Sequence, residues 1–298
     1  MSGHVVVVGD VINDVLVRPL GPVTRDSDTR AKIVRRPGGS AANLACWLAS
    51  QGTEVRFVGR VGRFDHDFHA AFLERAGVSP LLTVDPEAET GTIVILVDEG
   101  RTMLTDRGAN LSLEPADVPD ALLEGAALLH VTGYSFFEER VRRTVLEVLD
   151  RAGRRGVPVS VDPSSVAFLR DVGAEAFLRW TRGCRLAFPN RDEALYLARS
   201  TDPQEAARTL SRHYGLVVVT VDGDGALVAR EGGDPVHVPA ERVAAVDPTG
   251  AGDSFCAGFL DAWVRGADEV AAAAAGVALA RRAVTRMGGR PPLPDGQM

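Results

Sequence analysis

The chain has 298 residues, 45% of them hydrophobic and 24% charged, which leaves room for one large α/β domain with an appendage or for two small domains and excludes disorder and collagen-like architectures. A net charge of −7 argues against nucleic acid as a partner. No apolar run approaches the roughly 20 residues that a membrane helix needs, so no membrane partner is expected.

Met1-Ser2-Gly3-His4 leads straight into Val5–Val8, a strand with no charged leader or cleavage site before it, and the expected location is the cytoplasm. Further strand-length apolar runs follow at Val55–Val58, Leu128–Val131, Val157–Val161, Leu186–Phe188 and Val217–Val221. Helical patterns alternate with them at Ser40–Ser50, Phe68–Ala76, Glu138–Gly153, Asp192–Arg199, Pro203–Tyr214, Asp253–Val264 and Glu269–Arg286. Continuous Val and Leu runs suit strands covered on both faces, and their alternation with helices predicts βαβ units: a doubly wound, mostly parallel α/β sheet.

Two stretches break that rhythm. Val15–Pro37 and Thr92–Arg107 hold β-prone pieces with no helix between them, and Glu99-Gly100 reads as a hairpin turn. A small separate sheet is expected there. The tail Pro291-Pro292-Leu293-Pro294 is expected to be irregular. Cys46, Cys184 and Cys256 are far apart and odd in number, which argues for reduced packing residues rather than disulfides or zinc ligands.

Lys32 is the only lysine, and Ala31-Lys32-Ile33-Val34 has no glycines before it, so a Walker A loop is excluded, as is a protein kinase with its strand lysine. Any phosphate must be held by backbone amides and arginines.

The densest motif is Asp247-Pro248-Thr249-Gly250-Ala251-Gly252-Asp253, after the apolar run Val243–Val246 and before a helix whose Phe255, Phe259 and Trp263 recur every four residues. Gly250, Ala251 and Gly252 would leave amide N–H groups open at a helix N-terminus, where orphan donors and the helix dipole attract anions. Asp253 in that first turn would stand beside the bound phosphate and accept a hydroxyl proton. Taken alone, the same residues also describe a tight turn with a capping carboxylate.

This run resembles the C-terminal signature of the ribokinase-like, or PfkB, carbohydrate kinase family. Gly38-Gly39-Ser40-Ala41-Ala42-Asn43 is similar to its N-terminal glycine pair, Asn190-Arg191-Asp192-Glu193 to its Asn-x-x-Glu motif, and Ala283-Val284-Thr285-Arg286-Met287-Gly288 to its closing segment. The resemblance covers nearly the whole chain. It implies a single ribokinase-like domain over residues 1–298, with a β-sheet lid inserted from about 15–37 and 92–107 that often serves as a homodimer interface. It also implies ATP-dependent phosphorylation of a hydroxyl, expected to be a primary alcohol, on a sugar or ribosyl-type substrate.

Residue by residue, the resemblance makes Asp253 the general base and Gly250, Ala251 and Gly252 the anion hole. Asp14, Gly38, Gly39 and Asn43 hold the acceptor; Asn13, beside Asp14, should point away by strand alternation. Asn190, Thr220, Gly225 and Gly288 face ATP, with Asp222 standing where a glycine is usual. Glu193 and Asn190 hold Mg²⁺ through water, although Glu193 near a helix start also reads as a cap. Asp247 and Thr249 fit the family's K⁺ loop, but Pro292 falls where a serine ligand would be, which leaves potassium open.

The acceptor is less legible. Asp162-Pro163-Ser164-Ser165 lacks the Asp-x-Asn-x-Arg of the fructokinase and ketodeoxygluconate kinase branches, and Thr132-Gly133-Tyr134 lacks ribokinase's glutamate. Tyr134, Phe136 and Phe137 are candidates to stack a nucleobase or to fill the core. The expectation is a ribosyl-type acceptor, with a nucleoside kinase of the adenosine, inosine/guanosine or pseudouridine kind as the alternative. A sugar phosphate is disfavoured because no basic cluster accompanies the acceptor motifs. Arg107 is a weaker candidate for the acceptor or phosphate. His66 and His69 read as a solvated helix start rather than a metal pair. Two other classes stay open: a dehydrogenase, against which Phe255 replaces the third glycine of a dinucleotide loop, and a non-catalytic sugar or nucleotide sensor.

Overall fold

The computed structural model describes residues 3–97 and 101–293. The expected turn at Glu99-Gly100 and the end of the Pro-rich tail at Pro294 lie outside the described residues.

The chain starts with β1 (Val5–Val8), crosses to β2 (Ile12–Pro19) and β3 (Ala31–Gly38), then forms α1 (Ser40–Ala49), β4 (Val55–Gly62), α2 (His66–Arg75) and β5 (Val78–Asp85). The pair β6 (Thr90–Val97) and β7 (Arg101–Gly108) precedes β8 (Leu128–Thr132), α3 (Tyr134–Phe137), α4 (Glu139–Arg154), β9 (Val159–Asp162), α5 (Val166–Val172) and α6 (Ala174–Trp180). Then come β10 (Leu186–Ala187), α7 (Arg191–Ala198), α8 (Pro203–Tyr214), β11 (Leu216–Thr220), β12 (Ala226–Arg230), β13 (Val236–Val238), α9 (Ala251–Val264) and α10 (Glu269–Val284).

Nine strands form the main sheet in the order β13-β12-β11-β10-β9-β8-β1-β4-β5. Pairing is parallel from β5 to β11 and antiparallel only for β11–β12 and β12–β13. β1 shows why its four valines were needed. Val5 and Val7 pack into one apolar cluster, with α1, α2, α9 and α10, while Val6 and Val8 pack into the other, with α4 to α8. A strand covered on both faces has no use for polar alternation. α4 buries Val141, Val145, Val148, Leu149 and Ala152, the stripe of a helix with one wet face.

A second sheet has the order β3-β2-β6-β7. β2 pairs antiparallel with β3 and parallel with β6, which sets Asp14 opposite Arg36 on one side and Ile93 on the other. Lys32 lies exposed on β3, an edge strand. No helix among the described residues is long and apolar enough to cross a membrane.

Several elements depart from the sequence expectations. The apolar run Val243–Val246 joins neither sheet, and Val243 and Val246 are 37% and 56% exposed. β5 was hidden by Pro80, which its place at the sheet edge tolerates. α5 and α6 are seven residues each and break at Gly173 (φ 86°), too short for a periodic signal. Asp222, standing where the family usually has glycine, itself takes the left-handed conformation (φ 55°), which Asp tolerates better than most residues.

Candidate functional site

The strand order of the main sheet reverses around β1, and open α/β sheets form their ligand crevice beyond the strand ends at such a point. A cavity of about 310 Å³ lies there, beneath the second sheet. Asp14, Gly39, Asn43, Asn190, Glu193, Thr220, Thr249, Gly250, Ala251, Gly252 and Asp253 line it, from five separate stretches of chain.

Asp253 sits in the first turn of α9 and is buried. Ser40 Oγ donates to its Oδ1 at 2.7 Å, and Asn43 Nδ2 donates to its Oδ2 at 3.0 Å. Burial pushes its pKa up to about 7; the bonds from Ser40 and Asn43 pull the other way, and the charges of Asp162 and Asp10 add to the rise. A carboxylate so balanced is a proton acceptor near neutral pH.

The turn before it depends on Gly250, which takes φ 75°, ψ 11° as the N-cap of α9. A methyl group there would fall 2.5 Å from the carbonyl oxygen of Gly289. Of the three residues expected to offer amides, Ala251 already donates its N–H to the carbonyl of Pro248 at 3.2 Å. The N–H groups of Gly252 and Asp253, in the first turn, have no intrahelical acceptor.

At the other end, Asp14 projects from β2 into the cavity, and burial raises its pKa to about 6, with Arg290 opposing and Asp10 reinforcing the shift. Gly38 does not line the cavity; it makes room, because a methyl group there would lie 2.2 Å from Asp14 Oδ2. Gly39 (φ 100°) turns the chain from β3 into α1. Asn13 points away from the cavity, donating to Asp65 Oδ2 at 2.8 Å and facing His69 Nε2 at 3.0 Å.

Asn190 and Glu193 close the N-terminus of α7 as a capping box: Glu193 N–H donates to Asn190 Oδ1 at 3.0 Å, and Asn190 N–H donates to Glu193 Oε2 at 3.0 Å. Glu193 faces Asp162 at the end of β9. Burial raises the pKa of both, and the charge of Glu193 raises Asp162 further. Thr220, at the end of β11, bridges to Asn190. Gly225 and Gly288 do not line the cavity. Gly225 (φ 104°) closes the β11–β12 turn against the carbonyl of Val238, and Gly288 donates its N–H to Asp247 Oδ2 at 3.0 Å. Asp247 is buried, also accepts from Thr249 N–H at 2.9 Å, and so organises the loop before α9. His66 and His69 are not joined: His66 pairs with Asp67 on the surface, whereas His69 is fully buried against Asn13.

The structure adds residues that the sequence did not single out. Asp10, just past β1, accepts from Ser40 N–H at 3.0 Å, Ala41 N–H at 3.2 Å and Thr132 Oγ1 at 3.3 Å, and thereby anchors the N-terminus of α1. Its one available signal was an acid directly after a buried strand. Arg107 enters the cavity, 3.9 Å from Asp10 Oδ2 and 4.6 Å above the ring of Tyr134. Tyr134 lines the cavity beneath Arg107, whereas Phe136 is core and Phe137 stacks on Phe168.

Known proteins resemble the chain along its length. An adenosine kinase structure from Sinorhizobium meliloti superposes with a TM-score of 0.88 at 26% identity, covering 98% of this chain and 96% of that one. A fructokinase of Klebsiella pneumoniae is 29% identical over 273 residues, 87% of this chain and 84% of its own. An ATP-dependent ribose-1-phosphate kinase of Halopiger xanaduensis is 31% identical over 238 residues, 78% of this chain and 74% of its own. The fold and these relatives define the class: the chain is a small-molecule kinase. It belongs to the pfkB family carbohydrate kinases, whose sequence profile matches residues 2–296.

Proposed function

We propose that this kinase transfers the γ-phosphoryl group of ATP to a hydroxyl of a sugar or ribosyl-type acceptor, with Asp253 as the general base. The observation that carries the reading is the Asp253 carboxylate, held by Ser40 and Asn43 in the first turn of α9, with a pKa raised to about 7. The open amides of Gly252 and Asp253 then meet the charge that develops on the transferring group.

Asp14 takes two acceptor hydroxyls, and Asn43 and the Gly38–Gly39 backbone complete that end. Asn190, Thr220 and Glu193 face the nucleotide. The buried, mutually repelling carboxylates of Asp162 and Glu193 fit a divalent cation, because a bound charge would relieve both. No cluster of three or more metal-ligating side chains occurs among the described residues, which suits Mg²⁺ carried on ATP and held through water. Mg²⁺ would neutralise the phosphates during transfer. For K⁺, the loop of Asp247 and Thr249 is the place to look.

A nucleoside is the second reading. Ile93, Ile95 and Met103 of the second sheet give the cavity an apolar wall, which a base would cover better than a free sugar. ADP release with Mg-ATP against pentoses, hexoses, ketodeoxy acids and nucleosides, with and without potassium, tests both. One strong responder is expected. Silence across the panel would overturn the kinase reading in favour of a sensor.

Gly38→Ala is expected to raise the acceptor KM tenfold or more, the equivalent of about 1.4 kcal/mol, by displacing Asp14, with the KM for ATP unchanged. The second sheet is proposed to act as a lid and, through the exposed Ile33, Val34 and Leu104, as a homodimer interface. Sedimentation at micromolar concentration should return a dimer; a monomer refutes the interface.

A further inference from the structure

We infer that Arg290 is a positioning residue: it turns the Asn43 amide so that its NH₂ group faces Asp253, and so ties the segment after α10 to the base. The inference rests on the reading of Asp253 given above.

Arg290 follows α10 and reaches back to the glycine pair at the start of α1. Its Nε donates to Asn43 Oδ1 at 3.0 Å and its Nη2 donates to the Gly38 carbonyl at 2.7 Å. The residue keeps some surface in solvent, but its guanidinium is enclosed over the ring of Phe72, 5.0 Å from the centroid, and Nη1 is buried without a partner. The next residue back is fixed as well, because Trp47 Nε1 donates to the Gly289 carbonyl at 2.8 Å.

The chemistry of the two side chains makes this contact directional. A guanidinium has donors and no acceptor, whereas an amide has one end of each kind. Against Arg290, Asn43 must present its oxygen. Its NH₂ is then committed to the opposite side, where it meets Asp253 Oδ2 at 3.0 Å. With Arg290 removed, nothing holds the Asn43 oxygen away from Asp253, and the amide can turn to accept the O–H of the protonated acid, a bond that favours the neutral form. The bond from Ser40 Oγ stays in place. The groups that face Asp253 are Ser40 and Asn43 from α1, Asp10 after β1, Tyr134 from α3, Asp162 from β9, Cys256 on its own helix, and Arg290. Asp10 and Asp162 disfavour its charge, Arg290 favours it, and the Asn43 bond is the one that depends on a rotamer choice.

The test titrates the protein alone, labelled with carboxyl carbon-13 aspartate, and follows the Asp253 resonance, assigned by its loss in Asp253→Asn. Arg290→Met should raise the titration midpoint by about one pH unit. In an Asn43→Ala background most of that rise should vanish, because the residue through which Arg290 acts is gone. An unmoved midpoint, or the same rise in both backgrounds as a distant charge would give, overturns the proposal. Should Arg290→Met fail to fold, Arg290→Lys serves: it keeps the charge, cannot span Asn43 and Gly38 with a fork, and should give a smaller rise that again requires Asn43. A rise independent of Asn43 overturns the proposal here too. Full turnover in Asp253→Asn would remove the base reading without touching this titration. An unmoved midpoint alongside an inactive Asp253→Asn would remove only the role of Arg290.

Discussion

Asp253→Asn is expected to lower kcat by about 10²–10⁴-fold or more while ATP and acceptor bind with near wild-type affinity. The substitution conserves shape in a buried first turn and leaves the α9 amides in place, so it removes proton acceptance and little else. Calorimetric Kd values measured beside kcat separate the two. Near wild-type turnover would sink the assignment. The wild-type pH profile gives an independent check. The base must be ionised, and burial holds its pKa at about 7, so kcat should fall as the pH drops below that value. An acid limb near the ordinary aspartate value of about 4 would contradict the burial argument.

Gly250→Ala should destabilise the fold by about 2–4 kcal/mol and disable the turn that feeds the anion site. Two costs add. The residue is left-handed (φ 75°), a conformation that costs a side-chain-bearing residue about 1–2 kcal/mol. The new methyl would also lie 2.5 Å from the Gly289 carbonyl oxygen and 2.8 Å from its Cα, and backbone yields only if the segment leading to Arg290 moves with it. A lost amide donor at a developing charge costs about 10²–10³ in kcat. Gly252→Ala is the control: nothing lies within 4 Å of its new methyl, so thermal stability should hold to within about 0.5 kcal/mol. Equal melting temperatures for the two variants would show that the loop tolerates the clash.

The sequence carried the strands of the main sheet and the residues around Asp253 because both are written locally. Val5–Val8 is a buried strand on composition alone, and Gly250 through Asp253 is a turn into a helix on spacing alone. What stayed hidden is long-range. Ser40 meets Asp253 across 213 positions, and Arg290 meets Asn43 across 247, distances over which no periodicity or propensity carries information. Some local signals also misled. Val243–Val246 is an apolar run that joins neither sheet, and Tyr134, readable either as core or as a base-stacking ring, lines the cavity with Arg107, from the other sheet, over it. Gly225 and Gly288 carry the right residue type for a tight approach, and neither lines the cavity: the Val238 carbonyl comes close to Gly225 and the Arg36 guanidinium to Gly288.

Lys32 has a practical consequence. It is exposed on the edge strand of the second sheet, and no other lysine occurs in the chain. Apart from the α-amine, the protein therefore offers amine reagents one address, and that address lies on the element proposed to close over the acceptor. A fluorophore coupled there would report the movement without engineered cysteines, while the enzymes that acylate or conjugate lysine side chains would find a single target on the second sheet.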